Sequence, residues 1–101
     1  MPTIKVEKQT ALSANDSFKR ISDMLSNDKD IRKLDSKYKC EFNAQQRTGV
    51  ADGSLFKAKM SVADAASGSK VEIVVELPFH LTMVKGMVEK TLQKKLEEAL
   101  S

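Results

Sequence analysis

The stretch KVEIVVELP (70–78) constrains this chain most. Val71, Ile73, Val75 and Leu77 fall on one face of an extended segment, and Val74 adds apolar cover to the other. Pro78 has no N–H to give to a sheet ladder, so it ends the strand. Phe79-His80-Leu81 then makes a corner, and Thr82 is the expected N-cap of a long helix. In that helix Val84, Met87, Val88, Thr91, Leu92, Leu96, Ala99 and Leu100 recur at helical spacing. Lys85, Glu89, Lys90, Gln93, Lys94, Glu97 and Glu98 fill the opposite side, a pattern of about five turns at 3.6 residues per turn. An apolar strand face and an apolar helix stripe joined by a short corner predict that the helix covers the sheet.

The other segments supply the rest of that sheet. TIKVEK (3–8) alternates with Ile4 and Val6 on one side. Ser13 is a good N-cap for a first helix in which Phe18, Ile21 and Leu25 make one stripe, with Asp16 near its positive end. SNDKD (26–30) interrupts it, and Ile31 and Leu34 add a further helical turn. YKCEFNA (38–44) reads as a strand with Tyr38, Cys40, Phe42 and Ala44 inward. QQRTGVADG (45–53) reads as a loop with turn chemistry at Asp52-Gly53. SLFKAKMSV (54–62) places Phe56, Ala58, Met60 and Val62 inward, and ADAASGS (63–69) reads as a flexible connection. The predicted order is β-α-β-β-β-α: an α+β fold with a four-stranded, mainly antiparallel sheet and two helices packed on one face.

A chain of 101 residues is large enough for a single core and not for two, so one domain spans residues 1–101. Charged residues make up 31% and the formal net charge is +3, with only Arg20, Arg32 and Arg47 as arginines. A phosphate-tracking surface usually needs a denser basic patch. The single cysteine, Cys40, excludes an intramolecular disulfide and a multi-cysteine metal site. MPTIKVEKQT has no apolar core of the secretory kind and no apolar run reaches membrane-spanning length, so the expected location is the cytoplasm.

The chain shows no catalytic constellation. His80 is the lone histidine, with no Cys/His spacing suited to a metal and no oriented partner for a nucleophile; it reads as a corner residue. Cys40 reads as a small hydrophobe on a strand face. Gly49 and Gly53 read as turn glycines, and Glu97-Glu98 as a solvated helix face. Lys5, Lys8, Lys37, Lys39, Lys57 and Lys59 mostly take outward strand positions, a weak lead to an anionic partner.

MPTIKVEK, the LS before the first helix, GVADGSL and above all VEIVVELPFHLTMVKGMVEKTLQKKLEEAL resemble the polyhydroxyalkanoic acid system family. These are small bacterial proteins linked to polyester storage granules. Three features depart from the family: Thr10 stands in place of a histidine, the second strand has no tryptophan, and the stretch 26–37 is more polar than usual. The resemblance implies a non-enzymatic accessory protein without cofactors, located in the cytoplasm or at granules, with the granule surface or granule proteins as partners. The expected contact surface is the apolar corner and start of the last helix: Phe79, Leu81, Met83, Val84, Met87 and Val88. Two other classes fit the same order of elements. One is an RNA- or ribosome-binding module of the hibernation-factor type, using the outward lysines. The other is a small hydrophobic-ligand carrier, in which the last helix closes a cavity over the curved sheet.

Overall fold

The computed structural model describes residues 3–100, apart from the side chains of residues 30, 31 and 34. The fold is α+β. Strand β1 (Thr3–Thr10) leads into α1 (Ala14–Asn27) and the short α2 (Lys29–Leu34). Strands β2 (Lys39–Asn43), β3 (Thr48–Asp52), β4 (Lys57–Ala65) and β5 (Gly68–Glu76) follow. A 3₁₀ corner (Phe79–Val84) then leads into α3 (Lys85–Leu100). The sheet is antiparallel throughout, in the order β1-β5-β4-β3-β2. Its inner face carries Ile4, Val6, Ala58, Met60, Val62, Val71, Ile73 and Val75, which meet Ile21 and Leu25 of α1 and Leu92, Leu96 and Leu100 of α3 in one core.

The predicted helix starts and stripes mostly hold. Ser13 caps α1, its Oγ accepting from the Asp16 N–H at 3.2 Å. Ile21 and Leu25 are buried as the stripe requires, with Phe18 packed half-buried against them. A second helical piece does follow α1, but the side chains of Ile31 and Leu34 lie outside the described residues. Thr82 is not the N-cap of the last helix. Residues 79–84 wind as 3₁₀ behind Pro78, the Thr82 hydroxyl donates to the Phe79 carbonyl at 2.7 Å, and α3 begins at Lys85.

The sheet has five strands, not four, because residues 48–52 form β3 instead of a loop. Their pattern is hidden because the inward residues are small. Gly49 and Ala51 are buried, while Val50, the one large apolar side chain, faces solvent. Gly49 pairs directly with Phe42 of β2, and a Cβ there would come within 2.6 Å of the Phe42 ring. The aromatic ring of one strand fills the place that the glycine leaves empty. Asn43 Oδ1 closes the β2–β3 turn by accepting from the N–H groups of Gln45 and Gln46. Ala44, expected inward, lies exposed in that turn.

The expected flexible connection over residues 63–69 is instead a tight hairpin. β4 runs to Ala65, which pairs with Gly68 at the start of β5. Small residues are needed here because α1 and the end of β1 pass close by. Ser69 Oγ lies 2.7 Å from Ser17 Oγ of α1 and donates to the Leu12 carbonyl at 2.8 Å, with both serines fully buried. Gly68 has φ 155°, and a Cβ on it would run into the Thr10 carbonyl oxygen. Gly68→Ala is therefore expected to destabilise the fold by more than the ~1 kcal/mol that a compatible glycine-to-alanine exchange gains. Urea unfolding checks this, and unchanged stability would contradict the close approach of β1.

Candidate functional site

An apolar cavity of about 140 Å³ lies between the sheet and the last helix. Ala58, Ile73, Val75 and Leu77 form its floor, and Leu25, Tyr38, Leu55 and Phe56 its side walls. Leu81 and Val84 from the corner, with Val88 and Leu92 from α3, form its roof. Two local features open this space. Ala58 is the smallest inward residue of β4 near the corner. The 3₁₀ corner has no buried residue, so the N-terminal part of the last helix overhangs the sheet while Leu92, Leu96 and Leu100 anchor the rest. Lys95 and Asp28 hold that anchored half with an ion pair of 2.7 Å.

Among the described residues no charged side chain lines the cavity. Tyr38 contributes its ring, which tilts against Phe56 at 5.5 Å between centroids. Its hydroxyl is buried and finds no hydrogen-bond partner among the described residues. Burial pushes the Tyr38 phenol well above its ordinary pKa, so the group stays neutral at any physiological pH.

One wall is fixed by a buried carboxylate. Asp35 is 2% exposed and accepts from the Leu55 N–H at 2.8 Å, the Ser54 hydroxyl at 3.0 Å and the Lys37 N–H at 3.1 Å. A Cβ on Gly53 would collide with this carboxylate, so glycine is what admits it. The Leu55 N–H, with Ser54 and Lys37, holds the Asp35 carboxyl below its usual range despite its burial. Its folded pKa is lower than its unfolded one, so its contribution is complete above the ordinary carboxylate pKa of about 3.9 and is lost as pH falls toward the depressed value. Asp35→Asn is expected to lower stability at neutral pH and to flatten the acid limb of a stability–pH curve. An acid limb as steep as in the parent chain would contradict this role.

The six residues expected at a contact surface divide into two sets. Leu81, Val84 and Val88 turn inward and line the cavity. Phe79, Met83 and Met87 turn outward and are 74%, 98% and 65% exposed. His80 is exposed on the corner, as its reading as a corner residue required. Cys40 is half-buried, with Sγ 3.7 Å from the Leu25 carbonyl. Apart from Leu81, Val84 and Val88, sequence reasoning marked none of the lining residues as a site; their apolar character marks a core equally well, and nothing local separates the two.

The outer sheet face is mixed in sign, not basic. Lys5 pairs with Glu7 at 3.1 Å and Glu72 at 3.7 Å, and Lys70 pairs with Glu7 at 3.2 Å. Lys57 lies between Glu76 and Asp52 in register. Lys8 is half-buried opposite Val71 and does not join that face. A depression of about 550 Å³ there, lined by Lys37, Lys39, Glu41, Val50 and Asp52, is larger than the cavity but open to solvent and carries both charges. Among the described residues no cluster of three or more His, Cys, Asp or Glu could hold a metal. No described helix is long and apolar enough to cross a membrane.

No family model and no curated protein matches this chain. Solved structures share its fold at low identity. TTHA0849 from Thermus thermophilus superposes with a TM-score of 0.63 at 9% identity, covering 98% of this chain and 94% of that one. Protein CV1439 from Chromobacterium violaceum gives 0.62 at 11% identity, covering 99% and 96%. The di-domain ARO/CYC BexL from the BE-7585A biosynthetic pathway gives 0.68 at 8% identity. The match spans 99% of this chain and 45% of BexL, less than half of the larger protein. At these identities the likeness establishes the fold, a sheet with a long C-terminal helix across it, and no activity.

Proposed function

We propose that this protein binds a small apolar molecule in the cavity beneath α3. The observation that carries the reading is a partly open cavity of about 140 Å³ walled by apolar side chains. A void of about 150 Å³ lined by Leu, Ile and Phe in another protein stays dry and takes up benzene, so this volume suits a compact ligand of that order. Among the described residues no charged side chain lines the space and Tyr38 presents its ring to it, which favours binding over catalysis. The ARO/CYC protein shares this fold at 8% identity, so the scaffold is compatible with chemistry as well as binding. Titration with benzene, followed by NMR shifts of the methyl groups of Ile73, Val75, Val84 and Val88, tests the reading. Saturable shifts confined to the cavity support it, and their absence overturns it.

A role in polyester storage is a second reading, supported by the sequence resemblance and by the outward Phe79, Met83 and Met87. It requires these three side chains to adsorb to the polymer. Co-sedimentation with polyhydroxyalkanoate particles tests it, with Met87→Lys expected to release the protein. Retention of the lysine variant at the parent level would remove that surface. The mixed charge of the outer sheet face supplies no dense patch for the RNA-binding alternative.

A further inference from the structure

The outward half of the corner has a chemistry of its own. Met83 and Met87 stand one helical turn apart, and both are more exposed than apolar side chains of that size usually are. Phe79 opens the same corner and is mostly exposed. Lys90 and Lys94, three and seven residues beyond Met87, continue the same exposed helix face. Between residues 85 and 94 the only charged groups are Lys85, Glu89, Lys90 and Lys94, three cations to one anion. Among the described residues no ion pair holds any of these lysines.

An apolar tip followed by unpaired lysines is complementary to a surface that is oily inside and negative at its boundary. Three side chains fall well short of the roughly 800 Å² per partner that a stable protein interface buries. Inserted into a bilayer boundary, the same three side chains need no shaped partner, and the lysines meet headgroup phosphates. A neutral polymer offers those lysines nothing. We propose that Phe79, Met83 and Met87 insert into the headgroup boundary of an anionic phospholipid bilayer, with Lys90 and Lys94 on its phosphates. The cavity roof would then lie at the lipid surface, because Leu81, Val84 and Val88 alternate with the inserting side chains on the same segment.

Sedimentation of the full chain with large unilamellar vesicles tests this, using pure phosphatidylcholine, an equal mixture with phosphatidylglycerol, and polyester particles as a third arm. The expected result is pelleting with the mixed vesicles alone, weakened by added salt. Met83→Ser with Met87→Ser should lower the vesicle partition coefficient more than tenfold. Lys90→Gln and Lys94→Gln should each lower it about fivefold. All four side chains are exposed, so thermal unfolding of these variants should match the parent, and benzene binding in solution should persist. Equal binding to neutral vesicles, retention by polyester particles alone, or no pelleting would overturn the proposal, whatever the cavity binds.

Discussion

Replacing Leu96 by alanine is expected to lower the stability of this domain by about 3 kcal/mol, within the range of roughly 2–5 measured for buried leucines. Leu96 is fully buried, and it sits where α3 meets the sheet and α1. For a domain of this size such a loss moves the melting midpoint down by roughly 15 °C. Met83→Ala, in the apolar corner before the same helix, should change stability by less than ~0.5 kcal/mol because Met83 is almost wholly exposed. Urea unfolding followed by circular dichroism measures both. The contrast is the informative quantity: similar losses at the two positions would mean that the corner packs on the sheet, and that the last helix has no overhanging half.

The same contrast marks where sequence legibility ends. Large inward side chains at period two made β1, β4 and β5 readable, and Ile21 with Leu25 made α1 readable. The stripe of the last helix was also largely correct: Val84, Val88, Leu92, Leu96, Ala99 and Leu100 face inward, while Met87 and Thr91 face solvent. The 3₁₀ corner advances by a different angle per residue than the α-helix behind it. The six residues expected at one contact surface separate into Leu81, Val84 and Val88 inward and Phe79, Met83 and Met87 outward. β3 escaped for the opposite reason, since its buried face consists of Gly49 and Ala51 and its one valine points away from the core. The β4–β5 hairpin looked flexible because close packing against α1 selects the same small residues that loops contain.

The cavity was legible only as one possibility among three, and its cause is a difference in volume that no periodicity records. Ala58 occupies an inward position of β4 where Met60 and Val62, the next inward residues, are larger. The helix above it is held at its far end by Leu96, Leu100 and the Lys95–Asp28 pair, so it does not settle into the space. A buried acid at Asp35 fixes Leu55 as a wall through backbone hydrogen bonds that a sequence cannot display.

Filling that space should separate stability from binding. Ala58→Leu extends a branched side chain into it and should recover on the order of 1 kcal/mol, provided the leucine keeps a staggered rotamer. The same variant should lose benzene binding by at least tenfold, because the added atoms occupy the ligand's place. In the parent chain, a ligand at a hundred times its dissociation constant should stabilise the fold by about 2.7 kcal/mol, and in Ala58→Leu by almost nothing. Thermal unfolding with and without benzene reads both effects in one experiment. A variant that is more stable and no longer responds to ligand places the site under α3. A variant that still gains stability from benzene places the ligand elsewhere, and the cavity is then only a packing defect.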